Sequence, residues 1–336
     1  RFARALAYSE LIKCFCKAYD SDEQAANELG VVITEHYKGD EPQKRATLKE
    51  SYEFVLKDLD KATEYLKVDE DEKGDLYDMP YFTEFACHAL RARVSLYMHR
   101  WDDAIKYASK VISSKRYFMA SCTQNIGSTS MYNYQWTEGK STEGIWKVEF
   151  TLNSYGGALG TIFSNYNYAT YRPDYVPAKW VINSYDNNDL RASSIFRNVT
   201  TGYEHALNWP MLIKYMGDSD FRRNNILHVH RPTVLRLSEQ YLIRAEAYAM
   251  KEEYTKAGKD ISTLRTARYS TYGGNTALSK SNAMDVIEAE RVKELYMEGF
   301  RLNDLKRWHK GFKRDIKDQP AANFVQSSLK VEKDDP

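Results

Sequence analysis

Two groups of aromatic residues stand among amides and hydroxyls in the middle of this sequence. Tyr132, Tyr134 and Trp136 alternate with Asn133 and Gln135, and Tyr155, Tyr166, Tyr168, Tyr171 and Tyr175 lie among Asn153, Asn165 and Asn167. Flat rings beside neutral hydrogen-bonding groups suit a sugar, which offers apolar C–H faces and a rim of hydroxyls. If Met131 to Trp136 is extended, alternation puts Tyr132, Tyr134 and Trp136 on one face as a platform; if it is a loop, that argument fails. Arg172, beside Tyr171, could donate a bidentate bond to paired hydroxyls or a carboxylate, or could pair with Asp174. Tyr203, His205 and Trp209 form a further exposed group, whereas Trp180 is expected to anchor a Val181-Ile182 helix in the core. The competing reading of every ring is half-buried packing.

Three other constellations invite a reaction or a metal. Glu290, Glu294 and Glu298 recur at four-residue spacing and would line one helical face, the arrangement paired carboxylates for acid/base work require; ion pairing with Arg291, Arg301 and Arg307 is the expected use. His228 and His230 would share a face on a strand, but no third ligand lies nearby. Asp186-Asn187-Asn188-Asp189 suggests a calcium loop, yet the EF-hand pattern wants Glu where Arg197 stands, so turn chemistry is expected. Phosphate-loop, nucleophile-elbow and dinucleotide glycine patterns are absent from the sequence. Cys14, Cys16, Cys87 and Cys122 lack zinc spacing and read as free thiols. We therefore expect no catalytic residues, no metal and no cofactor.

These residues need elements to hold them. Phe2 to Cys16 has apolar residues at helical spacing. Thr47 with Glu50 three residues on has the capping-box spacing, followed by the stripe Tyr52, Val55, Leu56, Leu59, Ala62 and Leu66. Lys67 to Asp78 reads as a loop. Helices over 82–98 and 102–112 joined at His99-Arg100-Trp101 make an antiparallel hairpin. Helix is expected again from Val234 through Ala267 and from Asn282 to Trp308. Arg91-Ala92 aligns with Arg244-Ala245, placing Trp101 on Tyr254, Ala104 on Ala257, Ala108 on Ile261 and Val111 on Leu264 without a gap. Such a repeat follows the logic of tetratricopeptide-type helix pairs. Between the copies, Ser121–Thr137 and Phe150–Tyr171 carry no charged side chain, and Gly144 to Phe150 looks like a strand. The expected fold class is mostly α: one domain over 1–336, with a helical scaffold at 1–115 and 235–310 and a loop-rich insertion at 116–234 holding a few short strands.

Composition limits the partners. The chain has 336 residues with 48 basic and 47 acidic side chains, a net charge of +1 that provides no overall field for nucleic acid. No apolar run approaches the ~20 residues that span a bilayer. Tyrosine is abundant, 26 against 13 phenylalanines, and seven of those tyrosines fall between 130 and 175, about twice the chain average.

Two segments resemble a known family. Val234 to Ala247, with Ala257, Ile261, Leu264-Arg265 and Arg268, is similar to the "RLSExYLIxAEA" helix of the SusD/RagB nutrient-binding lipoproteins. Glu290 to Trp308 resembles that family's "ERxxELxxEGxRxxDLxRW" almost position for position. Arg4-Ala5 with Tyr8, Val31-Val32, Arg45-Ala46-Thr47, the 52–66 helix, 89–112 and Asp189-Leu190-Arg191 agree in order. The resemblance implies a SusD-like helical scaffold at the bacterial cell surface, in the outer membrane. It would bind an oligosaccharide, sometimes a peptide, without reaction and deliver it to a SusC-like TonB-dependent transporter. It also implies a lipid anchor upstream of Arg1 and a further segment beyond Pro336. The expected ligand residues are Tyr132, Tyr134, Trp136, Tyr155, Asn165, Tyr166, Tyr168, Tyr171 and Arg172. The alternatives are a RagB-like peptide binder and a protein-interaction scaffold whose tyrosines only pack.

Overall fold

The computed structural model describes residues 1–36, 39, 41–67, 75–203, 206–315 and 329–332. Residues 68–74 of the expected 67–78 loop, and His205, lie outside the described residues. Helix α1 (Phe2–Phe15) precedes the short α2 (Asp22–Asn27) and then α3 (Leu48–Tyr65), whose start is the expected capping box. The Thr47 side chain accepts from Glu50 N at 3.1 Å and the Glu50 carboxylate accepts from Thr47 N at 2.8 Å. That exchange satisfies two amides that a helix start leaves unpaired. Val55, Leu59 and Ala62 then face the core that α1, α3 and α4 (Glu84–Tyr97) share.

Helix α5 (Trp101–Ser113) folds back on α4. Between them His99 takes a left-handed φ of 55°, and Arg100 N donates to Ser95 O at 2.9 Å. The later copy repeats this turn at the equivalent positions: Glu252 has φ 61° and Glu253 N donates to Tyr248 O at 2.9 Å. The repeat read from the sequence therefore holds down to its hydrogen bonds. Ala92, Leu96, Ala104, Ala108, Ile243 and Ala247 form one buried cluster that joins the first hairpin to the second. The small alanines let the helix backbones approach, as in tetratricopeptide-like pairs.

The stretch between the two hairpins is largely irregular. It holds β1 (Asn125–Ile126), β2 (Thr129–Ser130), α6 (Met131–Thr137), β3 (Gly144–Lys147), a 3-10 turn at Leu159–Ile162, α7 (Lys179–Ile182), α8 (Arg191–Ile195), β4 (Phe196–Thr200), β5 (Asn208–Leu212) and α9 (Ser219–Arg223). β1–β2 and β4–β5 are antiparallel pairs. This insertion carries its own apolar cluster of Cys122, Tyr132, Trp136, Phe163, Tyr185, Phe196, Leu212 and Tyr215, among others. A Cβ on Gly160 would lie 1.6 Å from Tyr215 O, so only glycine lets the 3-10 turn close onto that cluster.

The second hairpin begins with a correction. Val234 belongs to strand β6 (Thr233–Arg236), which pairs antiparallel with β3, and the helix α10 (Leu237–Met250) starts only afterwards. β3 offers its edge here, and that pairing overrides the helical pattern that follows. Helix α11 (Tyr254–Arg268) completes the hairpin. The expected helix over 282–308 is two helices, α12 (Ala283–Glu294) and α13 (Arg301–Arg307). Met297 at φ 58° and Gly299 at φ 83° take left-handed conformations that break it. A short pair, β7 (Phe312–Arg314) with β8 (Leu329–Val331), follows. The described chain is mostly α, with strands only in short antiparallel pairs.

Candidate functional site

The expected platform at Tyr132, Tyr134 and Trp136 does not exist. Met131–Thr137 is helical, its amino end capped by the Ser130 side chain accepting from Asn133 N at 3.1 Å. On a helix the residues that share a face are Tyr132 and Trp136, four apart, and that face is turned inward. Tyr132 is 0% and Trp136 4% exposed. The Lys214 ammonium lies 4.0 Å from the Trp136 ring centre and the Arg268 guanidinium 4.4 Å from that of Tyr132. Tyr134 is half-buried beside them, on another face. Trp180, expected in the core, is instead 46% exposed, while Val181 next to it is buried.

Three members of the second aromatic group, Tyr166, Tyr168 and Tyr171, do converge at the surface. Tyr166 and Tyr171 stack with ring centres 4.6 Å apart and planes 23° apart, and Tyr168 sets its ring edge-on to Tyr166 at 5.9 Å. Tyr168 is 56% exposed and its two partners are half-buried. The local sequence explains this presentation. The Asn167 carboxamide oxygen accepts from Ala169 N at 3.1 Å and Thr170 N at 2.9 Å, an Asx turn. That turn holds Tyr168 at φ 71°, and Asn165, exposed, takes φ 39°. Such angles are costly for side chains beyond glycine and persist only where surrounding contacts impose them. Arg172 N donates to Ser164 O at 3.1 Å and closes the loop at its base.

Neighbouring segments fix its edges. His228 Nε2 is 2.9 Å from Tyr166 O and Ser164 Oγ is 3.2 Å from His228 Nδ1. Burial holds the His228 imidazole below its ordinary pKa, so a neutral ring donates to that carbonyl. Tyr168 OH is 3.4 Å from Arg222 O and from Asn225 Oδ1, just past α9. Tyr155, 46% exposed, packs edge-on to Phe221 of the same helix at 5.7 Å. Tyr155 and Tyr168 therefore flank α9. Arg172 does not pair with Asp174: its Nε donates to Gly202 O at 3.0 Å. Arg197 of β4, which no sequence motif singles out as a ligand residue, donates from Nη2 to Tyr171 OH at 2.9 Å. Tyr203 is exposed, with its hydroxyl donating to Pro173 O at 2.8 Å, and Trp209 Nε1 donates to Pro177 O at 2.8 Å.

The other constellations are structural. His228 and His230 are not on a strand; His228 has φ 66°, and His230 Nδ1 lies 2.6 Å from Asp218 Oδ1, away from the partners of His228. No group of three His, Cys, Asp or Glu placed to hold a metal occurs among the described residues. Asp186 Oδ1 accepts from Asn188 N at 2.9 Å, the turn chemistry expected there. Cys14, Cys16, Cys87 and Cys122 are free.

Glu290, Glu294 and Glu298 do form ion pairs, but with other partners than expected. Glu294 accepts from Arg236 Nη1 at 2.5 Å, Arg268 Nη2 at 2.8 Å and Arg191 Nη1 at 3.0 Å. Glu290 accepts from Arg265 Nε at 2.8 Å and Arg191 Nη2 at 3.1 Å, and Glu298 from Lys214 Nζ at 2.6 Å and Arg236 Nη2 at 2.8 Å. Arg291 pairs instead with Asp304, Arg307 with Asp304 and Glu246, and Arg301 with Glu288. The reason is geometric: Glu290 and Glu294 face inward, Arg291 is rotated about 100° from Glu290 and about 60° from Glu294, and Glu298 lies beyond the end of α12. The network ties α8 and β6 to α11 and α12, which fixes the insertion on the scaffold.

Burial alone would raise these carboxyls, but the facing cations win. Arg191, Lys293 and Arg265 hold Glu290 down to about 2. Arg268, Arg236 and Arg191 hold Glu294 well below the usual range, and Arg236 and Lys214 lower Glu298. Carboxyls depressed on folding stabilise above their unfolded value near 4.5 and lose that stabilisation as pH falls toward about 2. Urea midpoints followed against pH are therefore expected to stay level above about 5 and drop steeply below 4.5. An unchanged midpoint between about 4.5 and 3 would contradict this coupling.

Comparisons agree with this architecture. Residues 197–335 match the sequence model of the SusD family. A SusD-like carbohydrate binding protein from Bacteroides vulgatus superposes with a TM-score of 0.70 at 21% identity, covering 98% of this chain and 67% of that one. A SusD superfamily protein from Bacteroides thetaiotaomicron gives 0.74 at 23% identity, covering 94% and 67%. Surface glycan-binding protein A from Bacteroides uniformis gives 0.65 at 16% identity, covering 91% and 64%. The chain thus spans about two thirds of the length of these solved structures. No curated protein matches it.

Proposed function

We propose, for a chain that belongs to the SusD/RagB family through its 197–335 segment and has the SusD-like fold over its length, that it is a non-catalytic binding protein for oligosaccharides. The stacked Tyr166–Tyr171 pair with exposed Tyr168 carries this reading. It offers ring faces to a pyranose, and Asn165 and Arg172 beside it supply polar groups for hydroxyls. The names of the similar proteins, a carbohydrate binding protein and a surface glycan-binding protein, support the same ligand class. In this reading the helical scaffold and the insertion act as one unit on the outer-membrane surface. The full-length protein is held there by a lipid anchor and passes its ligand to a SusC-like TonB-dependent transporter. No helix among the described residues is long and apolar enough to cross a membrane.

The test is a glycan array followed by calorimetry. Tyr168→Ala and Tyr171→Ala are expected to weaken the best array ligand about tenfold or more while leaving the urea midpoint near wild type, since stacking of a ring on an aromatic is a direct contact. Absence of binding across a broad array, or unchanged affinity in both variants, would sink the reading.

A further inference from the structure

The platform has a charge that its own segment does not carry. Phe150–Tyr171 contains no ionisable side chain other than tyrosine, yet Arg197 and Arg172 border the stacked rings and the backbone of Arg222 adjoins Tyr168. Arg197 donates to Tyr171 OH and its guanidinium carbon sits 6.0 Å from that ring centre. Arg172 follows Tyr171 and spends its Nε on the Gly202 carbonyl. Arg222 meets Tyr168 only through its backbone carbonyl, which the Tyr168 hydroxyl reaches, and its Nε is buried without a hydrogen-bond partner.

None of these three pairs with a carboxylate among the described residues, although ion pairing is the rule for arginine elsewhere in this chain. Arg191, Arg231, Arg236, Arg244, Arg268 and Arg307, for example, each hold at least one. Asp174, exposed at the loop's end, is the acidic side chain nearest in sequence to Arg172, and Arg172 does not bond to it. Guanidinium groups that bond to no carboxylate among the described residues, beside a ring-binding surface, suit a planar anion on the ligand, which they can grip through two parallel N–H bonds.

We infer that this site prefers acidic oligosaccharides, with the carboxylate or sulfate of the sugar taken by Arg197 and Arg172 while Tyr166, Tyr168 and Tyr171 hold the rings. The inference rests on the glycan-binding reading above and narrows its ligand class. Hydrogen bonds to a charged partner are about twice as strong as neutral ones, and partly exposed pairs weaken with salt, so the preference should be both measurable and ionic-strength dependent.

Calorimetry on the wild-type protein would compare four probes: a galacturonate tetramer, the same tetramer with its carboxyls reduced, a sulfated tetrasaccharide and an acidic tetrapeptide. The expected result is affinity at least about tenfold higher for an acidic sugar than for the reduced tetramer, shrinking as salt is raised. Arg197→Gln and Arg172→Gln should each cut that ratio to about threefold or less. The first and third probes separate carboxylate from sulfate recognition. Equal or better binding of the reduced tetramer would overturn the acidic preference and leave glycan binding intact. Tighter binding of the peptide than of either acidic sugar, or no sugar binding at all, would overturn both.

Discussion

Glu294→Ala is expected to cost about 3–5 kcal/mol of folding stability, the range for removing one partner of a buried ion pair. The case for the upper part of that range is the number of charges stranded. Arg191, Arg236 and Arg268 are each almost fully buried, and all three donate to this one carboxylate. Arg236 also donates to the Glu294 carbonyl at 2.6 Å, so the end of α12 would loosen with the side chain. Urea denaturation at neutral pH checks it, and a loss below about 1 kcal/mol would show that the arginines find other partners. Glu294→Gln should be destabilising too, because the amide keeps the shape and loses the charge. It should also make the acid limb of the pH profile shallower, since one of the three carboxyls whose protonation drives it is gone. That change of slope separates the electrostatic role from packing.

Trp136→Ala is expected to cost about 3–5 kcal/mol as well, for a different reason: a large buried ring is removed and a cavity remains. Trp136 packs edge-on to Tyr132 at 6.0 Å and Tyr215 at 6.3 Å, and Lys214 lies over its face. Burial has already pushed the Lys214 ammonium down to about 8, against the pull of Glu298, so losing the ring also removes a cation–π contact from a strained charge. Tyr134→Ala, half-buried on another face, should cost about 1 kcal/mol or less. Thermal and urea unfolding of the two variants decide between core and platform. A stable Trp136→Ala protein with lost glycan binding would restore the platform that the helix excludes.

How much of the site was legible can be judged from those same residues. The stretch Met131–Trp136 carried a period-two aromatic pattern, and a period of two is compatible with a strand only if a partner strand exists. Within α6 the four-residue spacing of Tyr132 and Trp136 governs instead, and Ser130 supplies the cap. Tyr166, Tyr168 and Tyr171 do come together at the surface, because the Asx turn at Asn167, a local device, sets Tyr168 outward. Part of the tyrosine excess packs cores: Tyr19, Tyr52, Tyr97, Tyr117, Tyr132, Tyr185 and Tyr215 are buried.

The sequence by itself determined the scaffold helices α1, α3, α4 and α5, the capping box at Thr47 and Glu50, and the repeated hairpin. These are written in spacings of three to five residues, where backbone geometry leaves few alternatives. Tertiary structure alone decided that Tyr132 and Trp136 are buried, that Val234 joins β3, and which cation each buried carboxylate meets. Arg191 and Glu294 are 103 residues apart and Arg197 and Tyr171 are 26 apart. Contacts of that kind depend on the packing of whole elements, so a segment without charge in the sequence acquires a cationic border only when the chain has folded.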